Sequence, residues 1–256
     1  ANIRPSGKNY LMEDFFYAGG LRALMVELGD KLDLNVKTVT GQTLKECIKG
    51  SKNYNSDVIR TLKNPVYHEG SLAVLKGNLA PDGAIIKPAA MDPKFQKHNG
   101  PAIVADSYAE LKEIINDEDY PITADHILVL RNAGPKGGPG MPEWGMIPMP
   151  KALLKQGHRD MIRLSDARMS GTSYGACILH VAPEAFIGGP LALIRTGDII
   201  QVDIPNRKLD VNISKSEMKK RQEDWITPKP RYERGYGYIY SKHIEQADKG
   251  CDFDFL

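Results

Sequence analysis

The sequence predicts a mixed α and β protein, mainly a β-barrel-like domain flanked by helices. From about residue 65 the chain consists of short apolar runs separated by Gly and Pro, a texture typical of strands and turns. Two adjacent runs near residue 200 have the pattern of a β-hairpin. Only a few helix-capping patterns occur among the apolar runs of this region. Many short strands with few helices favour a barrel or barrel-like sandwich over a doubly wound sheet.

Helical segments are predicted in two parts of the first 64 residues. Residues 10–29 carry apolar side chains at helical spacing, namely Leu21, Leu24, Met25 and Leu28. Gly19-Gly20 interrupts this pattern, so either two helical pieces or a tight packing contact is expected there. A further short helix is expected from Thr43 to Lys49. The length of the chain allows either one large domain or two unequal ones.

Six strands and one hairpin are predicted in the second domain. The candidate strands are 72–79, 83–87, 101–105, 126–131, 161–165 and 176–181. In residues 198–214, two runs of alternating apolar and polar residues flank the turn 205–207, which indicates a hairpin with one solvated face. Capping boxes at Ser107 and Ser214 open two helices, and a short helix from Lys151 is stopped by Gly157.

Composition and charge narrow the function classes. The chain has 256 residues, 41% of them apolar, which is enough for a substantial core. Its 34 basic and 32 acidic residues are intermixed, so neither nucleic acid nor a membrane is predicted as a partner. No apolar run reaches roughly 18 residues, and no secretory signal is visible. The isolated Cys47, Cys177 and Cys251 predict no disulfide framework and no self-contained zinc site, so a reducing interior is expected.

A glycine- and proline-rich segment, RNAGPKGGPGMPE at 131–143, follows a predicted strand. It does not fit a phosphate-binding P-loop, because Lys136 opens no helix and the prolines lack backbone N–H groups. Its glycines allow the backbone to approach another group closely. The segment ends in Glu143, whose fixed carboxylate would suit a hard cation such as Mg²⁺. A surface turn with a solvated glutamate is the equally open alternative.

Two serines in SDARMSGTSYG, residues 165–175, are candidates for chemistry. Ser173 fits the G-x-S-x-G pattern of serine hydrolases, but apolar, β-prone residues follow where that pattern requires a helix. Ser170 lies just past a predicted strand, with Asp166 and Arg168 close in sequence. A serine hydroxyl acts as a base only when a metal ion or a cationic group lowers its pKa. Ser170 could therefore act as a base if it lies beside a metal site that includes Glu143.

Long motifs of the chain resemble the dihydroxy-acid/sugar-acid dehydratase family. They are LRNAGPKGGPGMPE, SDARMSGTSYG, HVAPEAFIGGPLALIRTGDII, SGKNYLMEDFFYAGG, GNLAPDGAIIKPA and GYGYIYSKHIEQADKGCDFDFL. The resemblance runs essentially from end to end. The ARMSG motif followed by T-x-Y-G is nearer to the arabinonate/xylonate-type enzymes than to the branched-chain enzymes, whose pattern is nearer GRFSGGT.

The resemblance implies an iron–sulfur hydro-lyase. Members of the family remove water from a 2,3-dihydroxy acid to give an enol, which tautomerises to a 2-keto acid. In the family a [2Fe–2S] cluster acts on the departing C3 hydroxyl, and Mg²⁺ holds the substrate carboxylate and C2 hydroxyl. By motif position, Glu143 matches the Mg²⁺ ligand and Ser170 the base. Thr172 and Ser165, in the same segment, could contact the substrate.

The resemblance further implies that this chain is the C-terminal half of a longer protein. Residues 1–64 would be the trailing segment of the family's N-terminal α/β domain, and residues 65–256 its C-terminal β-barrel domain. The cluster cysteines and the remaining Mg²⁺ ligands belong to the N-terminal half of the family, and the three cysteines of this chain do not match them. The chain alone is therefore expected to be inactive, to bind no cluster and to bind Mg²⁺ weakly.

The expected partners are a small-molecule 2,3-dihydroxy acid, such as arabinonate or xylonate, the missing N-terminal half, and further copies in a homo-dimer or tetramer. An intracellular location is expected, either cytoplasmic or, for a eukaryotic branched-chain enzyme, mitochondrial. Two other functions stay open at this stage. One is a dihydroxy-acid dehydratase of branched-chain amino acid synthesis, and the other is a non-catalytic barrel that serves as a binding or assembly module.

Overall fold

The computed structural model of the chain describes residues 1–5 and 7–256. The chain divides into two compact units, Ala1–Ser71 and Leu72–Leu256, and each has its own cluster of buried apolar side chains. Among the residues described, no helix has both the length and the apolar character needed to cross a membrane.

The first unit consists of short helices, α1 (Met12–Tyr17), α2 (Gly20–Leu28) and α3 (Leu44–Ile48). The predicted interruption is confirmed, because Gly19 has a φ of 111° between α1 and α2. A Cβ on Gly19 would lie 2.4 Å from the Lys52 carbonyl oxygen, so only glycine fits at this close approach. The predicted short helix is also confirmed as α3.

The second unit is built on an eight-stranded sheet in the order β1-β2-β6-β5-β4-β3-β7-β8. The strands are β1 (Ala73–Leu75), β2 (Gly83–Ile86), β3 (Lys97–Ala105), β4 (Ile127–Leu130), β5 (Arg163–Ser165), β6 (Cys177–Ala182), β7 (Ile199–Asp203) and β8 (Lys208–Val211). The sheet is nearly closed, because Lys76 after β1 forms a bridge to Lys208 at the start of β8. The predicted β-barrel-like fold class is therefore confirmed, including the β7–β8 hairpin.

The four central strands, β3 to β6, run parallel to one another, whereas the outer pairs are antiparallel. All four residues of β4 are buried, which is typical of a parallel strand covered on both faces. The carboxyl ends of parallel strands lie at the same edge of a sheet. The loops that follow β4 and β5 therefore leave the sheet side by side, and these two loops carry the predicted site residues.

Four helices accompany the sheet: α4 (Tyr108–Asn116), α5 (Lys151–Lys155), α6 (Lys215–Glu223) and α7 (Gly235–His243). The serine half of both predicted capping boxes is confirmed, whereas Glu110 Oε2 accepts the Asp106 N–H and Glu217 Oε1 accepts from the Arg221 side chain. Ser107 Oγ accepts the Glu110 N–H at 3.2 Å, and Ser214 Oγ accepts the Glu217 N–H at 3.1 Å. α4 covers the sheet with the buried residues Leu111, Ile114 and Ile115.

Candidate functional site

The loops after β4 and β5 carry the two principal predicted site residues. The register of these parallel strands pairs Leu130 with Ser165, so the two loops begin at the same level of the sheet. Glu143 ends the glycine-rich loop, residues 131–143, which is the first part of the connection from β4 to α5. Ser170 lies in the second loop, residues 166–176, which leads directly into β6.

Arg168 links the two loops. Its Nη2 lies 3.1 Å from Glu143 Oε1, and its Nε donates to the Met141 carbonyl oxygen at 2.6 Å. Both side chains of the ion pair are nearly half exposed, so the pair contributes little to stability. Its consequence is geometric, because it holds the Glu143 carboxylate against a residue two positions before Ser170.

Ser170 begins a tight turn. The Ser173 N–H donates to the Ser170 carbonyl oxygen at 3.1 Å and closes the turn 170–173. Ser170 Oγ lies 3.0 Å from Thr172 Oγ1 and accepts the Thr172 N–H at 3.3 Å. Ser170 is partly exposed and Thr172 is exposed. The structure therefore brings two of the predicted hydroxyl groups together at the surface of this turn.

The other two serines of the segment are buried. Ser165 is 0% exposed, and its Oγ accepts the Ala167 N–H at 3.0 Å, so its hydroxyl contacts its own chain. Its contact with a substrate stays a prediction. Ser173 is 2% exposed, and no helix lies between it and β6. A hydrolase nucleophile requires an exposed hydroxyl on a strand–turn–helix, so the geometry does not support the serine-hydrolase alternative.

The glycine-rich loop surrounds a carboxylate of the protein itself. Glu184, two residues after β6, accepts the Lys136 N–H and the Gly137 N–H, each at 2.9 Å. A Cβ on Gly134 would lie 2.7 Å from Glu184 Oε2, so a side chain at this position would displace the carboxylate. The predicted close approach of the loop backbone to another group is confirmed, and that group is Glu184.

A second buried carboxylate, Asp166, fixes the start of the same loop. Its oxygens accept the Ala133 N–H and the Ala185 N–H, both at 2.9 Å. Burial, and secondly the nearby Glu184 carboxyl, raise the pKa of Asp166 to about 7. Burial also raises the pKa of Glu184. Sequence reasoning missed Glu184, although an acidic residue two positions after an apolar strand was an available signal.

His180 of β6 supports the beginning of the Ser170 loop. Its Nε2 accepts the Met169 N–H at 2.8 Å, and its backbone N–H donates to the Ala167 carbonyl oxygen at 3.0 Å. A ring nitrogen accepts a hydrogen bond only when it is unprotonated. Burial, and secondly the charge of Arg168, lower the pKa of His180 and favour that neutral form.

The described residues do not by themselves form a complete metal site. In residues 1–5 and 7–256, no group of three or more His, Cys, Asp or Glu side chains is arranged to hold a metal ion. Glu143 could supply one of the oxygen ligands that Mg²⁺ prefers. Cys47, Cys177 and Cys251 are separate free thiols, whereas an iron–sulfur cluster requires several converging cysteines or histidines. This donor set does not fit the cluster.

A cavity of about 550 Å³ lies beside the same loops but does not include the predicted site residues. Its lining includes Arg131, Arg231 and the stacked rings of Tyr108 and Trp144, whose centroids are 5.4 Å apart. Trp144 is the neighbour of Glu143 in the chain, yet neither Glu143 nor Ser170 lines this cavity. The surface that carries Glu143, Arg168 and Ser170 is therefore not part of this cavity.

Comparison with known proteins identifies both parts of the chain. Residues 57–251 match the sequence family dihydroxy-acid/6-phosphogluconate dehydratase C-terminal. Residues 1–47 match the corresponding N-terminal family. The chain is 48% identical over 258 residues to 6-deoxy-6-sulfo-D-gluconate dehydratase of Pseudomonas putida. It is 45% identical over 257 residues to L-arabinonate dehydratase of Rhizobium leguminosarum bv. trifolii (strain WSM2304).

A third relative is a dihydroxy-acid dehydratase of Acetivibrio thermocellus, 44% identical over 253 residues. The first two matches cover 100% of this chain and 44% of each relative, and the third covers 97% and 45%. The chain thus spans less than half of the length of these relatives. The C-terminal family model covers most of the chain, in agreement with the motifs read from the sequence, and the chain belongs to the dihydroxy-acid/6-phosphogluconate dehydratase family.

Proposed function

We propose that the full-length protein containing this chain is a hydro-lyase that dehydrates a sugar acid, such as arabinonate or xylonate, to the 2-keto-3-deoxy acid. The family membership supports the reaction class. Relatives named for 6-deoxy-6-sulfo-D-gluconate and L-arabinonate, at 48% and 45% identity, support the substrate class. The dihydroxy-acid dehydratase relative, at 44% identity, supports dehydration of a branched-chain 2,3-dihydroxy acid as the second candidate.

In the proposed reaction, Ser170 Oγ accepts the proton from C2 of the substrate. The electron pair of the C2–H bond forms the C2=C3 double bond, and the C3–O bond breaks. The C3 hydroxyl leaves as hydroxide and becomes water by taking up the proton that the serine removed. The serine thereby returns to the deprotonated form in which it began, and the enol tautomerises to the 2-keto acid. Thr172 Oγ1, 3.0 Å from Ser170 Oγ, is proposed to contact the substrate, as is Ser165.

The proposal includes Mg²⁺ and a [2Fe–2S] cluster in the full-length protein. Glu143 is proposed to supply one carboxylate to Mg²⁺, with its other ligands and all cluster ligands outside this chain. When bound, Mg²⁺ would stabilise the negative charge that develops on the substrate carboxylate, and the cluster would make the C3 hydroxyl a better leaving group.

The observation that carries the proposal is the contact between Arg168 and Glu143. It joins the end of the glycine-rich loop to the loop of Ser170, so a carboxylate and a partly exposed hydroxyl reach one surface from two neighbouring strand ends. In the proposed elimination, this arrangement would provide a ligand for the metal ion and an acceptor for the C2 proton.

The decisive variant is Ser170→Ala in the full-length protein, compared with Ser173→Ala in the same loop. We expect Ser170→Ala to lower kcat by roughly 10³-fold or more, because no other group takes the C2 proton. Ser173→Ala is expected to keep kcat within about twofold, since that hydroxyl is buried and lacks a hydrogen-bond partner among the described residues. Turnover retained by Ser170→Ala would remove Ser170 as the base.

The substrate class is tested by turnover of C5 and C6 aldonates against 2,3-dihydroxyisovalerate, with formation of the 2-keto acid as the readout. Higher kcat/KM for an aldonate supports the sugar-acid proposal. Higher kcat/KM for dihydroxyisovalerate would select the branched-chain candidate, and turnover of none of these acids would argue for the non-catalytic barrel.

A further inference from the structure

Lys87, directly after β2, reaches the turn that begins at Ser170. Its Nζ donates to the Ser170 carbonyl oxygen at 2.9 Å and to the Gly171 carbonyl oxygen at 3.0 Å, and the Ser173 carbonyl oxygen lies at 3.5 Å. A lysine ammonium has three N–H donors and no acceptor. Three carbonyl oxygens of one turn therefore match its full donor capacity.

The charge of Lys87 is not neutralised by a carboxylate. Among the residues that the structure describes, Lys87 forms no ion pair. Burial lowers the pKa of Lys87, and the Cys177 thiol of β6 acts on this pKa in the opposite direction. Burial raises the pKa of that thiol, so Cys177 stays neutral and does not cancel the ammonium. Of the other charged groups near this loop, Arg168 pairs with Glu143 and Arg163 pairs with Asp160. The buried Asp166 accepts the backbone N–H groups of Ala133 and Ala185.

The turn needs an external support. Gly171 follows Ser170, and no atom lies within 4 Å of the position where its Cβ would be, so packing does not restrain this residue. Within the turn, the Ser170 carbonyl oxygen accepts the Ser173 N–H at 3.1 Å. Lys87 binds the same carbonyl oxygen and its neighbour, and thereby fixes the peptide units on both sides of the glycine.

We propose that Lys87 is the positioning residue of Ser170: it holds the turn through the backbone carbonyls and places an uncompensated positive charge beside the serine. This inference rests on the proposed function of Ser170 as a base. A positive charge close to a hydroxyl favours its deprotonated form, so the ammonium would lower the pH at which Ser170 can accept the C2 proton.

The test uses the full-length protein with Lys87→Met, Lys87→Gln and Lys87→Arg. Lys76→Met is the matched control, because Lys76 also follows a strand, β1, but is exposed. We expect Lys87→Met and Lys87→Gln to lower kcat about 10- to 100-fold with KM changed less than about threefold. The acidic limb of the kcat–pH profile should move up by about one unit, because the base loses a neighbouring positive charge. Lys87→Arg should restore most of kcat and the original profile.

A second measurement does not depend on turnover. Hydrogen–deuterium exchange of the amides in residues 170–175 should become faster in Lys87→Met and stay unchanged in Lys76→Met. Lys87→Gln keeps an N–H donor but has no charge. It therefore distinguishes the effect of losing the charge from the effect of losing the local fold. Unchanged exchange in Lys87→Met, or a pH profile that does not move in Lys87→Gln, would overturn the inference. If Ser170→Ala keeps its turnover, the proposed function fails instead, whatever the exchange at Lys87 shows.

Discussion

At the scale of single residues, the least usual group is the carboxyl of Asp166. It is 0% exposed, and among the described residues it forms no ion pair with a basic side chain. Backbone hydrogen bonds from Ala133, Ala185 and Asn132 compensate only part of the cost of burying a charge. Its pKa of about 7 means that the protonated form predominates in the folded chain below that pH.

We predict that Asp166 makes the free energy of unfolding fall as pH rises from about 4 to about 7. The unfolded chain loses this proton near pH 3.8 and the folded chain near pH 7, so the folded state binds more protons in this window. The loss from this group is on the order of 3 kcal/mol. Urea unfolding at pH 5.5 and pH 8 should show about 2 kcal/mol of this loss, and Asp166→Asn should show a smaller fall than the wild-type chain.

Glu217→Gln is the control for this measurement. A hydrogen bond from Arg221 lowers the pKa of Glu217, so its stabilising effect is complete above its unfolded pKa of 4.5 and is lost only at lower pH. Its substitution should therefore change stability equally at pH 5.5 and pH 8. Parallel pH dependences of the wild-type and Asp166→Asn chains would contradict the role given to Asp166.

At the scale of elements, the glycine-rich loop is shaped by Glu184 and not by a phosphate. Lys136 and Gly137 donate their N–H groups to this carboxylate, and the Gln246 side chain donates to it at 2.6 Å. Gln246 Oε1 in turn accepts the Glu184 N–H at 2.9 Å. The loop that ends in Glu143 is thus held to the C-terminal segment of the same unit by one buried carboxylate.

We predict that Gly134→Ala lowers the free energy of unfolding by about 2–4 kcal/mol. The new Cβ would lie 2.7 Å from Glu184 Oε2 and 2.8 Å from Glu184 Cβ, so the carboxylate must move and lose hydrogen bonds. Gly171→Ala is the matched control, because its Cβ would meet no atom within 4 Å. It should leave stability unchanged or raise it by up to about 1 kcal/mol. Equal effects of the two variants in urea unfolding would contradict the close fit.

At the scale of the whole molecule, the topology of the second unit determines which groups meet. Four adjacent parallel strands place the starts of the loops after β3, β4, β5 and β6 at one edge. Asp166 and Glu184 follow two of these strands, and Arg131 follows a third. Asp166 and Glu184 at this edge therefore bind the backbone of the glycine-rich loop. Glu143 provides a single carboxylate for a cation, and the described residues form no group of three or more possible metal ligands.

We predict that the 256-residue chain alone binds Mg²⁺ more weakly than about 1 mM and retains no stoichiometric iron. A single carboxylate does not offset the cost of dehydrating Mg²⁺. In the full-length protein, Glu143→Gln should weaken Mg²⁺ binding at least about tenfold. Calorimetric titration and metal analysis of the purified proteins measure both effects. Tight Mg²⁺ binding by the chain alone, or unchanged binding by Glu143→Gln, would exclude the shared site.

The sequence by itself determined where the strands lie, together with the hairpin, the helix starts and the break at Gly19-Gly20. It did not determine every strand end, because β1 covers only Ala73–Leu75 of the predicted run 72–79, and β3 begins at Lys97 and not at residue 101. These features depend on side-chain periodicity, capping and turn residues within a few positions of one another, which the sequence displays directly. It also indicated the loops that carry Glu143 and Ser170, because glycine-rich and serine-containing segments after apolar runs are local patterns.

Only the tertiary structure decided the parallel order of β3 to β6, the occupant of the glycine-rich loop and the support of the Ser170 turn. Lys136 meets Glu184 across 48 positions of the chain, and Lys87 meets Ser170 across 83. The burial of Ser173, next to exposed Thr172 and Tyr174, is likewise a property of packing. Contacts between distant segments are selected by the free energy of the whole packed unit, which no local pattern contains.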